Sequence, residues 1–348
     1  MAVGVKDVAA AASVSVGTVS NVLNNPEKVA PATVARVQKA IAELGFVRND
    51  AARQLRAGRS RSIGLVVLDV GNPFFAVVAR GAETRAAQAG LAVLFGSSDE
   101  RADREGAYVD LFREQRVNGV LVTPATADLT ALTRLQDAGI PVVLVDREAD
   151  DDALASVAVD DVEGGYLATR HLIDAGRRRI TFVGGPLSTR QVHDRLEGAR
   201  RAVAEHPDVA LDVMEMPALT VLQGREAGNL LRARDAASRP DGVFAANDLL
   251  AVGVLQSFAL LGEIRVPEDI ALIGYDDIDF AAATVVPLSS IRQPAREIGA
   301  TAVDLLLAEI ARAGAGGEHG PGGGPGPDAG ERRIRFRPEL IVRASTGG

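Results

Sequence analysis

The stretch "DVAAAASVSVGTVSNVLNN", Asp7 to Asn25, decides how the rest of the chain is read. So much alanine would support one continuous helix. Instead, Val5, Val8, Ala9 and Ala12 sit at helical spacing on one face and Ser13-Val14 breaks the pattern. Ser15 then fits an N-cap, its hydroxyl accepting a free amide at the start of a second helix, "VGTVSNVLN". Val19, Val22 and Leu23 line the inner face of that second helix, and Val16, Gly17, Thr18, Ser20 and Asn21 the outer face. Side chains this short let a helix sink deep into a major groove. Two short helices at an angle are the pattern of a helix-turn-helix, in which the second reads base edges and the first braces it; the turn alone fits a helical hairpin in a core equally well.

The flanking residues favour the first reading. "PATVARVQKAIAELG" places Pro31 at a helix start, Val34, Val37, Ile41 and Leu44 on one stripe, and Gly45 just past the end, closing a three-helix unit. "RNDAARQLRAGRSRS", Arg48 to Ser62, follows with five arginines and one large apolar residue, Leu55. A segment so basic has little to bury, so it reads as a plain linker or as a hinge helix that folds on DNA, with Leu55 as a minor-groove wedge and guanidiniums on phosphates. Lys6 and Asn24 in the head, and Arg53 and Arg56 beside Leu55, complete the candidate contacts.

The charge supports this division. The 348 residues carry a net charge of −8, but residues 1–62 hold nine basic and four acidic side chains, +5, leaving −13 on the remainder. A basic head on an acidic body predicts a small module that meets a polyanion and a larger one that does not. The chain has no cysteine, so disulfides and thiolate metal sites are excluded, in keeping with a reducing cytoplasm. The N-terminus lacks the basic and apolar regions of a signal peptide, and no run of 18 residues is apolar throughout, so export and membrane spanning are not expected.

From Ile63 onward, short apolar runs such as "SIGLVVLDV", "LAVLFG", "GVLVTP", "IPVVLVD", "RITFVGG", "DGVFAAN" and "DIALIGYDD" alternate with helical patterns ending at Gly90, Gly139, Gly176 and Gly262. Buried runs separated by amphipathic helices predict an α/β body of parallel, doubly wound sheets. At roughly 285 residues it is long for one sheet, so two similar lobes are expected. The expected divisions are a head at 1–47, a hinge at 48–62 and a body at 63–348. Within the body, lobe 1 takes about 63–160 plus 291–312 and lobe 2 about 161–290 plus a last strand in 334–343. Residues 313–333, rich in Gly and Pro, read as a flexible excursion.

"VKDVAAAASVSVGTVSNVLN" and "RNDAARQLRAGRSRSIGLVV" resemble the headpiece and hinge of the LacI/GalR family of bacterial transcription regulators. The body landmarks "GNPFFAVVARGAE", "RLEGAR", "FAANDLLAVGVLQ", "VPEDIALIGYDD" and "RPELIVRAST" extend the resemblance over nearly the whole chain, with a periplasmic-binding-protein-like body. The resemblance implies that Val16, Gly17 and Asn21 discriminate operator sequence and that Leu55 pries open a central base step. It also implies an effector cleft lined by Phe74, Phe75, Thr123, Asp146, Arg195, Asn247, Asp276 and Gln293. The chemistry agrees: carboxylates, an amide and a guanidinium suit vicinal hydroxyls, and a phenylalanine offers its face to a sugar ring. Taken singly, an Asp or Asn after a strand reads as a turn or helix cap. The family pattern is broken at Gly17, a glycine in the recognition helix, and at Ala30, where a capping Ser is common. No leucine heptads follow 313–333, so a homodimer on a pseudo-palindromic operator is expected, with a small sugar as effector and repression as the outcome.

Two rivals fail on the sequence. An enzyme reading lacks support, because "VLDVGNPFF" carries no phosphate-binding glycine pattern and G-x-S-x-G is missing. His171, His193, His206 and His319 lack metal-ligand spacing; His171 is expected on a helix surface and His319 in a loop. The acidic groups Asp150–Asp152 and Asp276-Asp277-Asp279 miss the calcium-loop pattern and read as solvated turns, and no cofactor is implied. A solute-binding protein for an importer would share the body but needs a signal peptide and no basic head.

Overall fold

The computed structural model describes residues 3–46, 60–315 and 332–347. It divides into two compact units, Met1–Ser60 and Arg61–Gly348. In the head, α1 (Val5–Ala11), α2 (Val16–Asn24) and α3 (Pro31–Leu44) pack around Val8, Ala9, Ala12, Val19, Val22, Val37 and Ala40. The break between α1 and α2 is Ser13, whose φ of +53° puts it in the left-handed region that a side chain enters at a cost. Ser15 restarts the helix, its Oγ accepting the Thr18 amide at 3.0 Å. Arg36 Nε donates to the Ala12 carbonyl at 2.8 Å, so α3 satisfies a group that the end of α1 leaves free. Pro31 opens α3 without a side-chain cap from Ala30, and Gly45 closes it at φ +60°.

The body is two six-stranded sheets. The first holds β1 (Ser62–Val67), β2 (Ala92–Ser97), β3 (Val120–Val122), β4 (Val142–Val145), β5 (Ala155–Val159) and β11 (Arg333–Phe336), in the order β11-β5-β4-β3-β1-β2. The second holds β6 (Arg179–Gly184), β7 (Ala210–Glu215), β8 (Gly242–Ala245), β9 (Ala271–Asp276), β10 (Ser289–Arg292) and β12 (Glu339–Ile341), in the order β12-β10-β9-β8-β6-β7. Every pairing is parallel except β10 with β12. Each lobe thus repeats one order, second-first-third-fourth-fifth, the doubly wound arrangement that binds ligands beyond the carboxyl ends of its strands.

The helices between strands are α4 (Pro73–Gln88), α5 (Ala102–Glu114), α6 (Thr130–Asp137), α7 (Asp161–Asp174), α8 (Arg190–Ala204), α9 (Val221–Ala233), α10 (Asp248–Leu261), α11 (Asp279–Ala283) and α12 (Ala295–Ala315). They cover both faces of the first sheet: Leu65, Val67, Leu121 and Val143 enter one cluster with Phe75 and Val78 of α4, while Val66, Val120 and Leu144 enter another with Phe112 of α5 and Leu132 of α6. That two-sided burial explains the unbroken apolar runs. The edge strands differ from that expectation. "LAVLFG" forms β2, with Leu94 37% and Phe95 43% exposed, and β7 is likewise half-exposed, because each has a neighbour on one side only.

Among the described residues the chain passes between lobes three times: from β5 to α7, from β10 to α12, and from β11 to β12. Two expected boundaries therefore move. Residues 291–292 belong to β10 in the second sheet, and the single last strand expected in 334–343 is two strands, with Arg333–Phe336 paired to β5 and Glu339–Ile341 to β10. Pro338, which has no amide to donate, ends the first pairing and lets the chain change sheets. The residues 48–59 of the expected hinge, and 316–331 of the Gly/Pro-rich segment, lie outside the described residues.

Candidate functional site

The outer face of α2 is held by its own backbone. Val16, Gly17 and Asn21 are exposed, Thr18 and Ser20 are half-buried, and Asn24 Nδ2 donates to the Ser20 carbonyl at 2.8 Å. Ser15 Oγ lies 2.9 Å from Thr18 Oγ1, so the capping hydroxyl is already engaged within the helix. Lys6 is exposed one helix earlier. A Cβ built at Gly17 would meet only Ser15 Oγ, at 3.6 Å, so packing does not demand a glycine there. Arg53, Leu55 and Arg56 lie outside the described residues.

The second site is a cleft of about 430 Å³, open mouth included, between the lobes of the body. The first lobe contributes Leu68, Asp69, Asn72, Phe74, Phe75, Glu100 and Asp146, and the second Thr189, Gln191, Arg195, Leu219, Asn247 and Asp276. Local rules place most of these. Asn72 is the N-cap of α4, its Oδ1 accepting the Phe74 amide at 3.0 Å ahead of Pro73, which sets Phe74 and Phe75 edge to face with centroids 5.1 Å apart. Asn247 caps α10, accepting the Leu250 amide at 2.9 Å and donating to the Leu219 carbonyl at 3.1 Å. Asp146 follows β4 and Asp276 ends β9, with φ of +57° and +103°. Non-glycine residues in that region store strain and cluster at functional sites. Arg195 is placed by a glycine: a Cβ at Gly165 of α7 would lie 1.9 Å from the Arg195 carbonyl oxygen, so only glycine lets α8 approach so closely.

Polar contacts bridge the lobes. Asn72 Nδ2 donates to Asp276 Oδ2 at 3.0 Å, and Gln191 Nε2 donates to the Asp146 carbonyl at 2.7 Å and to its Oδ2 at 3.2 Å. Arg195 Nε donates to Asp161 Oδ1 at 2.8 Å and its Nη1 to the Ala246 carbonyl at 2.8 Å, with Asp276 Oδ1 3.8 Å away. Its guanidinium lies 3.7 Å over the Tyr275 ring, a cation–π contact inside the protein. Burial opposes the Arg195 charge, but Asp161, Tyr275, Asp276 and Asp146 outweigh it and hold the guanidinium protonated. Burial pushes the carboxyls the other way: Asp146 lies well above the usual carboxylate range, with repulsion from Asp161 added and Arg195 opposing, and Asp161 and Asp276 are raised by burial against the opposing charge of Arg195. Asp146 Oδ1 has no hydrogen-bond partner among the described residues.

Six of the eight expected cleft residues line it: Phe74, Phe75, Asp146, Arg195, Asn247 and Asp276. Thr123 is fully buried after β3 and does not line it. Gln293 is also buried out of the lining, and acts through a neighbour by donating from Nε2 to Asp276 Oδ1 at 2.8 Å. Asp69, Asn72, Glu100 and Gln191 were not anticipated; the Asn-Pro of "GNPFF", a helix-start signature, is the signal that marks Asn72.

Two readings outside the cleft change. His171 is half-buried rather than on the surface, its Nε2 2.8 Å from Thr346 Oγ1, because the turn Ala344–Thr346 packs onto the second lobe; His319 lies outside the described residues. Asp276 and Asp277 do not form a solvated turn: Asp276 is in the cleft wall, and the Asp277 side chain is 5% exposed between Arg292, at 2.8 Å, and Arg343, at 2.7 Å. Among the described residues no group of three His, Cys, Asp or Glu side chains is arranged to hold a metal, and no helix is long and apolar enough to cross a membrane.

Residues 4–49 match the family model described as bacterial regulatory proteins, lacI family, and residues 169–346 match the periplasmic binding protein-like domain. The chain is 34% identical to the HTH-type transcriptional repressor PurR of Aliivibrio salmonicida, covering 88% of this chain and 92% of the relative. It is 37% identical to the ribose operon repressor of Bacillus subtilis, covering 88% and 91%. Among solved structures it resembles the Lac repressor dimer bound to operator and the anti-inducer ONPF, with a TM-score of 0.82, 25% identity and 99% of each chain covered.

Proposed function

Because the chain belongs to the LacI family of bacterial regulatory proteins, we propose that it is a transcriptional repressor that binds a two-fold operator as a homodimer under the control of a small sugar in the interlobe cleft. The observation that carries this reading is the meeting, in one cleft, of an unpartnered carboxylate oxygen on Asp146 and the rings of Phe74 and Phe75 from the first lobe with the Arg195 guanidinium from the second. That set accepts sugar hydroxyls and covers an apolar ring face. In the head, α2 would enter the major groove with Val16, Gly17 and Asn21 toward base edges and Lys6, Ser15, Thr18, Ser20 and Asn24 around them. Arg53, Leu55 and Arg56 would engage the minor groove between half-sites.

A second copy is favoured by exposed apolar surface: Leu260 is 70% and Val285 78% exposed, at a hollow shared with Val252, Leu255 and Ala259. The proposed place of action is the cytoplasm, where the chromosome is. A change in the angle between lobes when sugar binds would bias the DNA-binding state, because a ligand shifts an equilibrium only by its differential affinity for the two states.

The test is to select DNA from a random duplex pool with the full-length protein and to measure binding of the selected site against salt, with and without D-ribose or D-galactose. The expected result is an enriched two-fold motif bound by a dimer, an affinity that falls steeply with salt, and a change in affinity with one sugar. Enrichment of no motif would contradict the operator reading. Replacing Leu55 by Ser is expected to weaken specific binding and spare salt-sensitive nonspecific binding; equal loss of both would remove the wedge role.

A further inference from the structure

Resting on the reading of the cleft as the effector site, we infer that Asp69 and Glu100 are specificity-determining residues that restrict the effector to an uncharged sugar and exclude its phosphorylated form. The two stand at the carboxyl ends of adjacent strands in the first lobe. Asp69 follows β1 at one remove, and Glu100 lies in the turn after β2. That turn is forced: Asp99 and Glu100 both have positive φ, +50° and +58°, and Ser98 is buried with its amide on the Val67 carbonyl. Two consecutive side-chain-bearing residues in the left-handed region are costly, and the outcome here is a carboxylate delivered into the cleft lining. Asp69 anchors its own turn, Oδ1 accepting the Gly71 amide at 2.7 Å, whereas Glu100 makes no side-chain hydrogen bond or ion pair among the described residues. Burial and then the nearby Asp69 raise the Glu100 carboxyl above its usual range.

With Asp146 and Asp276, four carboxyl groups line the cleft against one guanidinium, that of Arg195. Arg195 is committed to Asp161 and to the Ala246 carbonyl. A phosphoryl group would enter a partly desolvated space with no free cation among the lining residues, and the Asn72 and Asn247 side chains already occupy the Phe74 and Leu250 amides at two of the helix starts that face it. Protonating one carboxyl removes a repulsion but adds no positive charge. Hydroxyl groups meet the opposite situation, since Glu100 and Asp146 Oδ1 have no donor among the described residues and Asp69 accepts the Gly71 amide on one oxygen only.

The experiment is calorimetric titration of the full-length protein with four pairs: D-ribose and its 5-phosphate, and D-glucose, D-galactose and D-fructose with their 6-phosphates. The expected result is that one free sugar binds and its phosphate binds at least about a hundredfold more weakly, a gap of about 2.7 kcal/mol. In an Asp69→Asn/Glu100→Gln variant the gap narrows at least tenfold, through gained phosphate binding. Glu100→Gln alone is the second variant, because Glu100 has no bond whose loss could unfold the turn. A phosphate that binds as tightly as its free sugar, or a gap unchanged in both variants, overturns the inference and leaves the sugar cleft standing. Silence from all eight compounds overturns the sugar reading, and this inference with it.

Discussion

Asp146 and Asp276 occupy the same point of the same topology, the carboxyl end of the fourth strand in each lobe, and both have positive φ. Their surroundings differ. Asp276 accepts from Asn72 of the other lobe and from Gln293, with Arg195 3.8 Å away. Asp146 accepts from Gln191 on one oxygen and leaves the other unpartnered. A repeated backbone thus supplies two carboxylates, each bonded across the lobes, and unequal partners engage both oxygens of Asp276 while leaving one of Asp146 for a ligand. Their roles follow from the donors around them, not from their strand position.

The largest expected effect removes the cation both depend on. Arg195→Met leaves Asp161 and Asp276 buried without a counter-charge and should cost about 3–5 kcal/mol in urea unfolding. A loss below about 1 kcal/mol would mean that the network is not held by this residue. Asp276→Asn comes next: it sets an amide donor among the donors of Asn72, Gln293 and Arg195, and should cost about 1–3 kcal/mol with loss of sugar response. Asp146→Asn should abolish sugar binding while leaving stability at neutral pH unchanged or higher, because the ionised acid is disfavoured by burial. Equal stability losses in the two Asn variants would break the comparison.

The sign of the pH dependence sharpens it. The folded pKa of Asp146 is raised, so the wild-type protein gains stability as pH falls through that value toward the unfolded value near ~3.9. Any advantage of Asp146→Asn should therefore be greatest at neutral pH and shrink as the solution is acidified, read as the difference in Tm between the two proteins. An advantage that grew with acidification would reverse the assignment.

The smallest effects belong to the head, where the candidate contacts are exposed or half-buried and support little packing. Ser15→Ala should cost the head about 1 kcal/mol through loss of the cap on α2. Gly17→Ala should stabilise it by up to ~1 kcal/mol, since the Cβ has room, and weaken DNA binding if the glycine serves close approach of the backbone to a groove. Unchanged DNA affinity would leave Gly17 without a role in recognition.

These regions also differ in how much the sequence reveals. The turn at Ser13, the cap at Ser15 and the end at Gly45 are local chemistry, and all three stand in the head as the residues suggest. Asp146, Asn247 and Asp276 were legible because strand ends in a doubly wound sheet face the ligand crevice. Gln191 was not, because it meets Asp146 only across the lobes, and Asp69 and Glu100 were not, because the pairing of β1 with β2 brings their two turns together. Nor could local pattern show that β2 is an edge strand or that Pro338 divides the last strand between two sheets, since both depend on distant pairing.

The most direct measurement is the affinity of the full-length protein for its selected two-fold DNA site, by fluorescence anisotropy, with and without the uncharged sugar that most raises its Tm. Control of DNA binding from the cleft predicts at least a tenfold change at saturating sugar, about 1.4 kcal/mol, abolished in Asp146→Asn. Equal affinity with and without a sugar shown to bind would contradict it.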